Sequence, residues 1–195
     1  MFKNICWVFS GDGGLSKEKV DMIMEKGLSK QEEVAQYHLP DLNKSKDDHI
    51  RSSRIARLDD EAVYECIRPF VWSANENAGW RLDLRHIEMV QFTKYRPNQH
   101  YNWHIDGYCD HNSSKVLSSQ DYKSQGMVMP ITETDNPDFI GMCRKVSITV
   151  NLSDPEDYEG GDLWLTHLPS DSNSGKLETF TNHDFRTKGA VVVFP

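Results

Sequence analysis

The chain has 195 residues, enough for one domain that buries roughly 70% of the surface its unfolded form exposes. Its 22 Lys and Arg against 30 Asp and Glu leave a formal charge of -8, a field that repels a phosphate backbone and argues against nucleic acid as a partner. No apolar run approaches the roughly 18 residues of a membrane span, the opening MFKNICWVFSGDGG turns polar too early for a signal peptide, and Cys6, Cys66, Cys109 and Cys143 form no C-x-x-C pair; a soluble, reduced, cytoplasmic protein is expected.

In chain order, Ser16 can cap a first helix in which Val20, Ile23, Met24 and Gly27 follow helical spacing, with Gly27 as its stop. The stretch from Asp41 to Arg54 is charged and poor in apolar residues, which predicts an exposed loop. Asp59 or Asp60 caps a second helix carrying Val63, Cys66, Ile67, Phe70 and Val71 at steps of three and four, and Pro69 should bend or interrupt it.

From Ile87 the period changes. IEMVQFTKYR, HYNWHID, KVSITVNLS, DLWLTH and AVVVF are short, rich in β-branched and aromatic residues, and separated by turn formers, so each predicts a strand. A helical part over about 1–80 followed by a β core over about 87–195 implies an α+β domain whose helices cover one face of a sandwich or jelly roll. The stretch 107–144 is too long for an ordinary connection and suggests a lid or binding loop.

The chemistry should lie where that stretch begins. Residues two apart on a strand share a face, so His104 and Asp106 of N-W-H-I-D-G would present an imidazole and a carboxylate side by side, a donor pair suited to a divalent metal. In KVSITVNLS, Val146, Ile148, Val150 and Leu152 alternate with Ser147, Thr149, Asn151 and Ser153. The polar face is either the wet side of an outer strand or an inner face whose hydroxyl and amide groups orient a small polar ligand, and periodicity does not choose.

The segment Y-R-P-N-Q-H-Y-N-W-H-I-D, Tyr95 to Asp106, resembles the Y-x-x-G-x-x-Y-x-x-H-x-D signature of prolyl 4-hydroxylases. R-K-V-S-I-T-V-N-L-S-D-P-E-D-Y-E-G-G-D-L-W-L, Arg144 to Leu165, is similar to the next block of that superfamily, and the final K-G-A-V-V-V-F-P to the strand that precedes its distal metal ligand. The blocks follow one another in the right order over about 87–195, which makes the resemblance far more specific than any one motif. Asn98 stands where the signature has Gly, although Asn also tolerates a left-handed backbone. Asn151 stands where related prolyl hydroxylases carry a Tyr that touches 2-oxoglutarate.

The resemblance implies a double-stranded β-helix, or jelly roll, with N-terminal helices packed on one sheet, spanning 1–195 as a single iron(II)- and 2-oxoglutarate-dependent dioxygenase domain. His104 and Asp106 would be two of three iron ligands, and Tyr95, Thr149 and Asn151 would face the co-substrate. Tyr101, Trp103 and Arg144 are candidates for the substrate groove, with strand-core and solvated readings of equal weight beside them. The co-substrates would be 2-oxoglutarate and O2, with ascorbate as a candidate reductant. The substrate would be a proline-containing protein or peptide, hydroxylated with release of succinate and CO2. The family's third ligand, a His, and the Arg or Lys that pairs with the far carboxylate of 2-oxoglutarate follow the strand ending at Phe194 and Pro195, so the resemblance implies either a fragment lacking its C-terminal strand or strands, which is the favoured expectation, or a site completed in another way.

Other residues read more plainly. Gly160 and Gly161 should make a tight turn, His167 and His183 should be surface residues, and Cys109 incidental. His100 and His111 flank the motif without an H-E-x-x-H pattern. A hydroxylase of an amino acid or other small molecule remains open as a rival, and so does a jelly roll that serves only as a metal-binding or interaction module.

Overall fold

The computed structural model describes residues 5–35, 37–39, 42–45, 50–104, 106, 145–167 and 178–195. It is an α+β structure of short antiparallel sheets and few helices. Its strands are β1 (Trp7–Phe9), β2 (Glu33–Val34), β3 (Tyr37–Leu39), β4 (Leu42–Ser45), β5 (Arg51–Ser52), β6 (Arg54–Leu58), β7 (Val90–Lys94), β8 (His100–Tyr101), β9 (Ser147–Val150), β10 (Leu165–His167), β11 (Glu178–Phe180) and β12 (Val191–Phe194). The α-helices are α1 (Lys17–Ser29) and α2 (Glu61–Asn77). The chain divides into two compact units, one formed by Met1–Ser29, Asp60–Asp83 and Val146–Pro195, the other by Lys30–Asp59 and Leu84–Lys145. No helix among the described residues is long and apolar enough to cross a membrane.

In the first unit, α1 begins directly after Ser16 and buries Val20, Ile23 and Gly27. Gly27 does not stop the helix, which runs on to Ser29; it lies on the buried stripe, where its missing side chain suits close packing. The second helix starts where its cap demands. The Asp60 carboxylate accepts from Ala62 N at 3.0 Å and Val63 N at 3.3 Å, satisfying two of the donors a helix start leaves open. Val63, Cys66, Ile67, Val71 and Ala74 form its buried stripe. Pro69 does not interrupt it. The proline lies on the exposed face, where water can serve the Glu65 carbonyl that loses its partner.

α2 packs on a sheet of order β1-β12-β9. Val191, Val192 and Val193 of its central strand are at most 2% exposed, and burial of each contributes about 1.5–3 kcal/mol. Cross-strand partners share a face, so Phe9, Val191 and Val150 lie together. Phe9 meets Phe70 of α2 edge to face with ring centroids 5.0 Å apart, which identifies this as the helix side. On the other side stand Val8, Val192 and Thr149, where Cys6, Phe185 and Val192 form a core with Leu163, Leu165 and Phe180 around it. Two loops cross tightly nearby: Leu15 N donates to Gly189 O at 2.8 Å, and Gly189 has φ +82.

In the second unit, β6 is the centre of a sheet of order β2-β6-β7 and buries Ile55, Ala56 and Leu58. Glu32 joins Arg54 and Lys94, which are themselves cross-strand partners, at its edge. β3 pairs with β4, and β5 pairs with β8. The expected exposed loop from Asp41 to Arg54 is therefore corrected: it contains strand residues, and Arg51 and Ser53 are 7% and 3% exposed. Arg51 is covered by its pairing with Tyr101, and the Ser53 carbonyl accepts from Ala35 N at 3.0 Å, partners that local composition does not register. The expected strand HYNWHID is also shorter than its pattern, because pairing ends at Tyr101. The remaining predicted strands are found, each inside its expected span.

Candidate metal centre

Tyr101 is the last residue of β8, and Asn102 extends the contact once more by donating its N–H to Ile50 O at 2.8 Å. Beyond it the chain leaves the sheet. His104 and Asp106 consequently do not owe their proximity to strand alternation, and that expectation is corrected. They meet all the same, with His104 Nε2 3.2 Å from Asp106 Oδ1. The other ring nitrogen, Nδ1, lies 2.8 Å from the Asn102 carbonyl oxygen. With Nδ1 donating to that carbonyl, Nε2 is the nitrogen turned toward Asp106: it donates to the carboxylate when the ring is charged, and it is the one that would be freed for a metal when the ring is neutral.

The His104 ring is also held from its face. It stacks on Tyr101 with centroids 3.6 Å apart and planes inclined by 9°. The two aromatics therefore do not occupy opposite sides, as strict alternation would require. Arg51 lies over the same tyrosine ring, its Cζ 4.4 Å from the centroid. The guanidinium is fixed in turn: Nε donates to Ser53 Oγ at 2.9 Å and Nη2 to Gln91 Oε1 at 3.3 Å. The expectations from sequence missed Arg51. Its signal, one of two arginines in a charged, polar stretch, is indistinguishable from a solvated charge.

The electrostatics follow from this packing. Burial opposes the charged His104 imidazole, but the Asp106 hydrogen bond, the Asn102 carbonyl and the Asp106 charge outweigh it and leave its pKa raised. Burial raises the Tyr95 phenol against the pull of Arg51 and Ser53. Burial likewise raises Tyr101, with Arg51 opposing and the Asp106 charge reinforcing. Both phenols stay protonated near neutral pH and can donate.

The two donors fit a shared cation. Ligands bound side by side at a metal, each about 2.1 Å away, stand about 3 Å from one another, close to the 3.2 Å observed. No group of three or more His, Cys, Asp and Glu residues placed to hold a metal occurs among the described residues.

Tyr95 and Trp103 belong to the same unit and are 50% and 59% exposed, so neither is core. Asn98 takes the left-handed conformation, φ 66, that a Gly in its place would adopt freely. Thr149 and Asn151 belong to the other unit. Thr149 is exposed although it shares a sheet face with buried Val192, on the side away from α2, so the polar face of β9 is not simply the outside of the unit. Asn151 uses its amide within the frame, donating to Arg186 O at 2.6 Å and Ser153 O at 3.1 Å while its oxygen accepts from Ser153 N. Arg144, His111, Cys109 and the stretch 107–144 lie outside the described residues.

Two features of the first unit also escaped the sequence. Arg186 donates to Gly160 O at 2.9 Å, Tyr158 O at 2.8 Å and Asp162 Oδ1 at 2.7 Å, and lies over the Tyr158 ring, so it pins the turn in which Gly160 and Gly161 take φ +66 and +65. His183 is exposed, as expected. His167 is not: it is half-buried, edge-on to Phe180, and its Nδ1 has no hydrogen-bond partner among the described residues. In comparisons with family models, curated proteins and solved structures, the chain matches none.

Proposed function

We propose that this chain is an iron(II)- and 2-oxoglutarate-dependent dioxygenase of the prolyl 4-hydroxylase type, built on a jelly roll and acting on peptidyl proline. The observation that carries the reading is the convergence of His104 Nε2 and Asp106 Oδ1 at 3.2 Å, inside the segment that resembles the family signature. The left-handed Asn98 supports it, because the turn between Tyr95 and Tyr101 then has the backbone that the signature's Gly would supply.

In this reading His104 and Asp106 hold the metal, and a third ligand completes a facial triad. When bound, the iron with 2-oxoglutarate and O2 supplies the oxidising chemistry that ends in a hydroxylated proline, succinate and CO2. The chain's own residues bind and orient. Asn102 sets the His104 tautomer through its carbonyl, and Tyr95 offers a protonated hydroxyl to the co-substrate. Exposed Trp103 offers an apolar surface beside the ligands for a proline ring. No side chain is required to act as a general base.

The test is succinate release together with a mass gain of one oxygen on proline-containing peptides, using the protein produced from its whole gene and its His104→Ala variant. Peptide hydroxylation that survives His104→Ala overturns the iron site. Succinate release with free amino acids or other small molecules, and none with peptides, moves the assignment to the small-molecule rival. Absence of both metal binding and succinate release leaves the non-catalytic jelly roll.

A further inference from the structure

Resting on the reading of His104 as a metal ligand, we infer that Arg51 is its positioning residue, acting through Tyr101. Arg51 Cζ lies 4.4 Å from the Tyr101 centroid, and the His104 ring lies 3.6 Å from it, nearly parallel. Two groups at those distances cannot share one face of a phenol ring, so the tyrosine is held between a cation on one side and the imidazole on the other. Each layer is anchored separately. Arg51 faces Tyr101 in the pairing of β5 with β8 and is tied to Ser53 and to Gln91 of β7, and His104 is tied to the Asn102 carbonyl.

The physical purpose is entropic. His104 lies beyond the end of the strand, where its side chain would otherwise sample several rotamers, and ordering it at the moment of metal binding costs affinity. A pre-stacked ring has already met that cost. A guanidinium buried against neutral acceptors is an expensive way to fill space. What it returns here is a cation–π contact that keeps the Tyr101 ring in the plane His104 needs. Nothing in the resemblance assigns Arg51 a role, since it lies well before the segments that carry the likeness.

The test reads the metal-free protein first. Ring-current shifts place the His104 Hδ2 and Hε1 NMR signals upfield in the wild type. In Arg51→Met they move toward the position seen in Tyr101→Leu, where the stack is absent, and Arg51→Lys, which keeps the cation, recovers most of the shift. Cobalt(II) titration by visible absorption then shows affinity about tenfold weaker for Arg51→Met, at the lower end of what loss of an outer-shell partner costs. Unmoved His104 signals in folded Arg51→Met overturn the inference. If Arg51→Met does not fold, Gln91→Leu, which frees one guanidinium nitrogen, decides: a partial shift of the same sign supports the inference and no shift overturns it. Cobalt(II) binding to the wild type with unchanged affinity in Arg51→Met sinks the positioning role alone, whereas no cobalt(II) binding to the wild type sinks the metal reading and this role with it.

Discussion

Arg51 and Tyr101 stand directly opposite each other in the pairing of β5 with β8, and the guanidinium carbon of one lies 4.4 Å from the ring centroid of the other. This contact joins the frame of the second unit to the residue on which His104 is stacked. Replacing Tyr101 with Leu removes both face contacts, each of which is about 0.5–1.5 kcal/mol in stacked or cation–π pairs. Tyr101→Leu should therefore lose about 1–3 kcal/mol in urea unfolding, while Tyr101→Phe stays closer to wild type. Equal losses in the two variants would mean that the hydroxyl matters more than the ring.

The crossing of the loops at Leu15 and Gly189 allows no side chain. At Gly189, with φ +82, an added Cβ would sit on the Leu15 carbonyl oxygen, and at Gly14 it would stand 2.6 Å from Gly189 O. Gly189→Ala combines left-handed strain with a backbone clash and should destabilise by about 2 kcal/mol or more. Gly160→Ala meets no neighbouring atom and should lose only the strain of its positive φ. Thermal denaturation of both variants checks the ranking.

Asp60 caps α2 and accepts from Lys26 at 2.6 Å, and that partner, with the helix-start amides, holds its carboxyl below the ordinary carboxylate range. A depressed folded-state pKa gives stability that is present above the unfolded pKa of about 4 and is lost as pH falls through the lower folded value. Asp60→Asn keeps much of the cap but not the charge. It should melt a few degrees lower at pH 7 and show a shallower loss of stability than wild type as the pH falls below about 4. Parallel curves for the two proteins would remove Asp60 from the acid response.

Cys6 is 6% exposed, and burial pushes its thiol up to about 11. Only about one thiol in a thousand is then ionised at pH 8, so alkylation of Cys6 should be slow in the native protein and should rise steeply in denaturant. Peptide mass spectrometry after timed iodoacetamide exposure measures it. Rapid native labelling of Cys6 would show that the core around Phe185 and Val192 opens readily.

Arg186 reaches three carbonyl or carboxylate oxygens of the 155–162 segment at 2.9 Å or less, a span that the shorter, non-planar lysine head cannot reproduce. Arg186→Lys should increase cleavage next to Glu159 in limited proteolysis with little effect on the sheet of order β1-β12-β9. Unchanged cleavage would place the rigidity of this turn in Gly160 and Gly161 alone.

What could be read from the chain is what depends on near neighbours. The stripe from Val63 to Val71 and the cap at Asp60 define α2, alternation marks the strands from Val90 onward, and His104 and Asp106 name themselves as a donor pair two residues apart. Of the two outcomes expected at Pro69, interruption does not occur, because the proline occupies the exposed side of a helix that continues to Asn77. The stretch containing Arg51 misled because burial there is decided by pairing with a strand distant in sequence, which no local period encodes. His104 and Asp106 were paired by the sequence for the wrong reason. Alternation assumes a strand, and β8 ends before them, so their approach is set instead by the Asn102 carbonyl, the Tyr101 face and the attraction between the two side chains. Sequence alone named His104 and Asp106 as the donor pair on which the metal proposal rests; only tertiary register, which brings Arg51 opposite Tyr101, decided how the imidazole is held.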